Sequence, residues 1–118
     1  MRIRLRSWII TEAENAMPKF APIHPGEILK SEFLDELDLT AYAFSKAIGM
    51  NRSGVSDIIN GSRAITAETA LRFARFFGNS PQFWLNLQDE FDLRMADRRV
   101  GRQILRQVTP FKEVITSG

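Results

Sequence analysis

The sequence holds no cysteine, which excludes a disulfide framework, a thiolate zinc site and an iron–sulfur cluster. It holds a single histidine, His24, so no second imidazole can join it as a metal ligand or proton relay. No apolar run approaches the roughly 20 residues that a membrane helix needs. The basic-then-apolar opening, Arg2 to Ile10, is too short in its apolar part for a secretion signal. No glycine-rich phosphate loop and no paired-carboxylate spacing stands out. Ser45 and Lys46 are neighbours in a helical stretch, so their side chains diverge and form no dyad. A cytoplasmic protein without metal, cofactor or catalytic residues is the expectation.

What is present fits one domain: 118 residues, of which 44% are hydrophobic and 25% charged. The net charge of +2 is unevenly spread. Residues 1–16 carry +1 and residues 94–118 carry +4, while residues 24–90 carry −3. Arginine outnumbers lysine by twelve to four. Its guanidinium fork suits phosphates and carboxylates, although a solvated surface would show the same ratio.

Three segments are expected: an N-terminal arm over 1–22, a domain over 23–93 and a basic extension over 94–118. In the arm, Arg2-Ile3-Arg4-Leu5-Arg6 alternates with the period of a strand. Residues 1–16 read as an edge strand or partner-binding arm, as a flexible arm, or as an extension upstream of a start at Met17. Pro18, Pro22 and Pro25 then make a stiff, non-helical lead-in.

From Gly26 onward the pattern is helical throughout, which predicts an all-α protein. The first helix runs from Gly26 to Leu37, with Leu29, Phe33 and Leu37 on one face. Thr40 caps a second, burying Ala43, Phe44, Ala47 and Ile48 and ending at Gly49. Asn51 caps a third, with Val55, Ile58 and Ile59 inward and Asn60-Gly61 as its left-handed end. Thr66 caps a fourth, with Ala67, Ala70, Leu71, Ala74 and Phe77 inward, closing at Gly78. Ser80-Pro81 opens a fifth through Phe83, Trp84, Leu87 and Phe91. The basic run from Arg94 either continues it or forms a sixth helix.

Only Gly49-Met50 joins helices two and three. Glycine at the head of so short a link permits the steep crossing of a helix-turn-helix. An αα-hairpin in any bundle would share these features, but the order of elements around it favours the motif.

Several segments carry a family likeness: His24-Pro25-Gly26-Glu27-Ile28-Leu29, Asn60-Gly61-Ser62-Arg63-Ala64-Ile65-Thr66, Ala70-Leu71-Arg72-Phe73, and the stretch from Ser80-Pro81 to Phe83-Trp84-Leu85-Asn86-Leu87-Gln88. Through them the chain, from Ile23 to Leu93, resembles the HigA antitoxin branch of the lambda-repressor-like (XRE) helix-turn-helix family. It departs at Ala41-Tyr42, where many relatives carry a glutamine that reaches the DNA backbone. The resemblance implies a five-helix domain, double-stranded operator DNA and a cognate small toxin as partners, and a homodimer.

On helix three, burial of Val55, Ile58 and Ile59 turns Arg52, Ser53, Ser56 and Asp57 outward. Arg52 lies in the first turn, where a recognition helix meets base edges. Arginine bonds guanine O6 and N7 together, and aspartate accepts from cytosine N4. Asn51, Asn60 and Arg63 flank the helix where the family contacts phosphates. Gly54, costing roughly 1 kcal/mol against alanine mid-helix, reads as allowing close approach to DNA or to helix two. Residues 50–76 carry +2 locally.

Phe83, Trp84, Leu85 and Leu87 place more bulk on one short helix than a single face hides, so they are the expected dimer interface. His24, beside Pro25-Gly26, reads as a cap or turn residue. The functional expectation is an antitoxin that neutralises an mRNA-cleaving toxin and represses its own operon as a dimer. The alternatives are a stand-alone regulator without a toxin, and an interaction module whose helix-turn-helix no longer binds DNA.

Overall fold

The computed structural model describes residues 21–117, with side chains through 114. The readings made for residues 1–16 lie outside that range. Among the described residues every regular element is helical, as the periodicity predicts.

Helix α1 (Pro25–Ile28) passes without a break into a π-helical segment, Leu29–Leu34. The expected first helix is therefore found, but it leaves regular geometry three residues before Leu37. Asp38 takes φ 56°, a left-handed conformation that aspartate tolerates. The Leu39 amide then returns to the Leu34 carbonyl at 2.8 Å, closing the end with the six-to-one bond of a Schellman motif.

Helix α2 (Ala41–Ile48) begins where Thr40 Oγ1 accepts the Ala43 amide at 3.0 Å, a cap worth about 1 kcal/mol. It stops at Gly49, φ 72°. Helix α3 (Arg52–Ile59) follows after two residues. Asn51 begins it only through its main chain, because its side chain makes no capping bond. Helix α4 (Ala67–Phe77) is capped by Thr66 and closed by Gly78. Ser80 Oγ accepts the Phe83 amide at 3.1 Å to open α5 (Pro81–Gln107), and α6 (Phe111–Ser117) follows Pro110. The basic run thus continues helix five through Arg106, across the expected boundary at Leu93.

The core is aromatic. Trp84 is fully buried, its ring 4.8 Å from Phe33 and 5.1 Å from Phe73. Its indole N–H donates to Asn79 Oδ1 at 3.0 Å, which satisfies the one polar atom it brings inside. Phe44 packs on Phe73 and Phe77. Leu29, Val55, Ile58 and Leu87 fill the remaining space.

This packing corrects three expectations. Trp84 and Leu87 hold the chain's own helices together and have almost no surface left for a second subunit, whereas Phe83 and Leu85, half-buried against the same core, keep surface that an interface could use. On α2, Ala43 and Ala47 are exposed while Ser45 is buried, its hydroxyl donating to the Tyr42 carbonyl at 2.7 Å. On α4, Ala67 and Leu71 face outward and Phe73 faces in. The buried stripe of α4 is turned by about one residue because Phe73 is drawn between Phe44 and Trp84.

Candidate nucleic-acid interface

One glycine and one arginine shape the link between α2 and α3. Gly49 turns the chain, and the Met50 amide closes it by donating to the Ser45 carbonyl at 2.9 Å. From α4, Arg72 donates through Nη1 to the Ile48 carbonyl at 2.9 Å and through Nη2 to Glu68 at 3.1 Å. One guanidinium therefore satisfies an orphan carbonyl at the end of α2 and fixes α4 beside the turn. In the sequence Arg72 stands out only within the Ala70-Leu71-Arg72-Phe73 segment and as part of the local positive charge. Its i,i+4 spacing from Glu68 was a visible signal for the pair, but the reach to Ile48 was not.

Val55 and Ile58 are buried under α3, and Ile59 is half-buried. This leaves Arg52, Ser53 and Asp57 exposed on the opposite side, with Ser56 half-buried between them. Asn51 precedes the helix and Asn60 and Arg63 follow it, all three exposed. The exposed residues expected to face DNA lie along α3 and just outside its two ends, and the Arg63 guanidinium folds back over Gly54 in the first half of the helix.

Gly54 lies under a side chain that comes from beyond its own helix. The space above it holds the Arg63 guanidinium, and a methyl group on Gly54 would lie 2.8 Å from Arg63 Nη1. Beside this contact is a polar hollow of about 210 Å³, lined among others by Asn51, Gly54, Arg63, Thr66 and Arg72.

The segment after α3 is tied down from two directions. His24 caps α1: its Nδ1 accepts the Gly26 amide at 2.9 Å, and Glu27 accepts the His24 amide in return. The same imidazole hydrogen-bonds the Arg63 backbone and meets the edge of Phe91 at a ring separation of 4.8 Å. Burial holds its pKa below the ordinary 6.5, against the opposing pull of Glu27, Asp92 and the Arg63 bond. Two residues later, the Ile65 amide donates to the buried Gln88 side chain of α5 at 2.8 Å. The cap reading of His24 is correct, while its grip on the loop after α3 had no sequence signal.

Among the described residues, no helix is long and apolar enough to cross a membrane, and no three His, Asp or Glu side chains gather as a metal site.

The family model described as "Helix-turn-helix" matches residues 30–84. Virulence-associated protein I of Dichelobacter nodosus is 45% identical over 89 residues, which is 75% of this chain and 80% of that protein. Antitoxin HigA-1 of Vibrio cholerae is 44% identical over 75 residues, 64% of this chain and 70% of the relative. The chain belongs to the HigA-type helix-turn-helix family. Among solved structures, the Pseudomonas aeruginosa antitoxin HigA, solved with the higBA promoter, superposes with a TM-score of 0.75 at 43% identity. That superposition covers 76% of this chain and 98% of the neighbour. HigA-type proteins form a family of DNA-binding regulators rather than a class of enzymes.

Proposed function

We propose that this chain is a cytoplasmic HigA-type antitoxin without catalytic activity. As a dimer it binds the operator of its own operon through α3, and it neutralises a small mRNA-cleaving toxin by direct contact. The observation that carries this reading is the exposed face of Arg52, Ser53 and Asp57, held on a braced helix-turn-helix. It is supported by the likeness to an antitoxin solved with its promoter.

Arg52 reads a guanine, Asp57 a cytosine, and Ser53 and Ser56 adjust to either. Asn51, Asn60 and Arg63 bind backbone phosphates and set the register. Two recognition helices then read half-sites about one helical turn apart. With Trp84 and Leu87 committed to the core, exposed apolar side chains beyond Asp92 are better placed to join the subunits. Leu93, Leu105 and Phe111 are 64, 81 and 77% exposed, so they retain the apolar surface that joining two subunits would bury.

Co-expression with the product of the neighbouring small reading frame tests the antitoxin role. That product is expected to arrest growth alone, to be harmless beside this chain, and to elute with it. A harmless neighbour that never co-elutes would leave a stand-alone regulator as the better reading.

A further inference from the structure

The glycine in the middle of α3 has no role in the packing of the fold. Gly54 is buried, yet what covers it is side-chain ends: a methyl group there would meet the Arg63 guanidinium and, at an ordinary contact distance of 3.5 Å, Met50 Cε. An alanine there would meet only Nη1 closer than 3.0 Å, and that atom can swing away. Elsewhere in the chain the requirement is different: a methyl group on Gly26 would lie 1.8 Å from the Ile58 carbonyl oxygen, so that glycine is demanded by backbone contact. Alanine at 54 would also favour the helix. The gap at Gly54 therefore serves the side chain lying in it.

We propose that Gly54 is a positioning residue for Arg63, seating its guanidinium across α3 to meet a DNA backbone phosphate at the hollow beside Asn51. The inference rests on the DNA-binding reading and deepens it. Three observations converge on Arg63. Its main chain follows Gly61, which lies against the His24 ring. Its guanidinium occupies the gap over Gly54. That guanidinium forms no ion pair with a described residue. The hollow it borders is lined by polar groups and by the Arg72 guanidinium, which Glu68, also in the lining, already pairs, so the charge offered to a phosphate there is that of Arg63. Because α3 carries the base-reading side chains, fixing Arg63 upon it makes one rigid unit of the phosphate contact and the base contacts. A methyl group at position 54 would lift the guanidinium off the helix and uncouple the two.

The test uses the full chain and two duplexes of equal length, one from immediately upstream of its own gene and one of unrelated sequence. Affinities are measured across a salt series for wild type, Gly54→Ala, Arg63→Ala and the double variant. Gly54→Ala should weaken binding to both duplexes by a similar factor, as a phosphate contact does. It should flatten the slope of log affinity against log salt by about 1 for each bound protomer. Its urea midpoint should be equal to or above that of wild type. In the Arg63→Ala background, adding Gly54→Ala should change nothing further. Unchanged affinity and slope in Gly54→Ala would overturn the proposal while leaving DNA binding intact. An equal loss in the Arg63→Ala background would overturn it too, as would a lowered urea midpoint. If wild type itself binds neither duplex, the DNA-binding reading falls and the proposal with it.

Discussion

The side chain of Gln88 on α5 accepts the backbone amide of Ile65 at 2.8 Å, across 23 residues of sequence and inside the core. Its amide nitrogen in turn donates to Asp92 at 2.9 Å. This bond ties α5 to the segment that leaves α3 for α4, so the long helix and the exposed face of α3 form one body. A buried amide without an acceptor costs about 1–3 kcal/mol. Gln88→Leu should therefore lower stability by about that amount, and Asp92→Asn, which leaves the Gln88–Ile65 bond and an acceptor for the Gln88 amide in place, should lose less. Urea unfolding of the two variants checks the order. Equal losses would mean that the bond to Ile65 contributes little.

Trp84→Ala is expected to damage the fold of each subunit. The indole fills the centre of the aromatic cluster and its N–H is bonded to Asn79, so its removal should cost about 3–5 kcal/mol. That is a large share of the total stability of a domain this size. Calorimetry or urea unfolding should show a strongly lowered midpoint. A stable, well-folded monomer with an unchanged midpoint would restore Trp84 to the subunit interface.

A pH dependence follows from His24. Its pKa in the folded chain lies below the unfolded value of 6.5, chiefly through burial. The neutral imidazole is thus the form that folding favours. The stability it contributes is complete above pH 6.5 and is lost as the pH falls from there through the folded pKa. Protonation at Nδ1 also removes the acceptor for the Gly26 amide. His24→Asn keeps a capping side chain without the titration. Because the chain has one histidine, the difference between wild type and variant isolates this group from the carboxylates. Between about pH 7.5 and pH 5.5 wild type should lose more stability than His24→Asn. Parallel pH profiles would show that His24 does not titrate in that window.

Local chemistry was legible in the sequence where one residue decides one geometry. Thr40, Thr66 and Ser80 cap the helices expected of them, and Gly49, Gly61 and Gly78 take positive φ at the helix ends. The polar face of α3 was legible too, because Val55 and Ile58 fix which side is buried. What the sequence left hidden depends on side chains meeting across elements. Periodicity placed Leu71 inside, but Phe73 takes that space by stacking between rings from α2 and α5. The bulk of Trp84 suggested an interface because nothing local showed that Phe33, Phe73 and Phe77 surround it. Arg72 reaching Ile48 and Arg63 lying over Gly54 span 24 and nine residues respectively, and no spacing rule announces either.

The most direct test of the account is a titration of DNA from immediately upstream of the chain's own gene, followed by fluorescence anisotropy, with wild type and Arg52→Ala. Wild type should bind this duplex more tightly than an unrelated one. Arg52→Ala should lose about 1–3 kcal/mol, or about 5- to 150-fold, on the upstream duplex and relax preference at one base position in each half-site. Equal binding of wild type and Arg52→Ala, with no change in base preference, would contradict the assignment of α3 as the recognition helix.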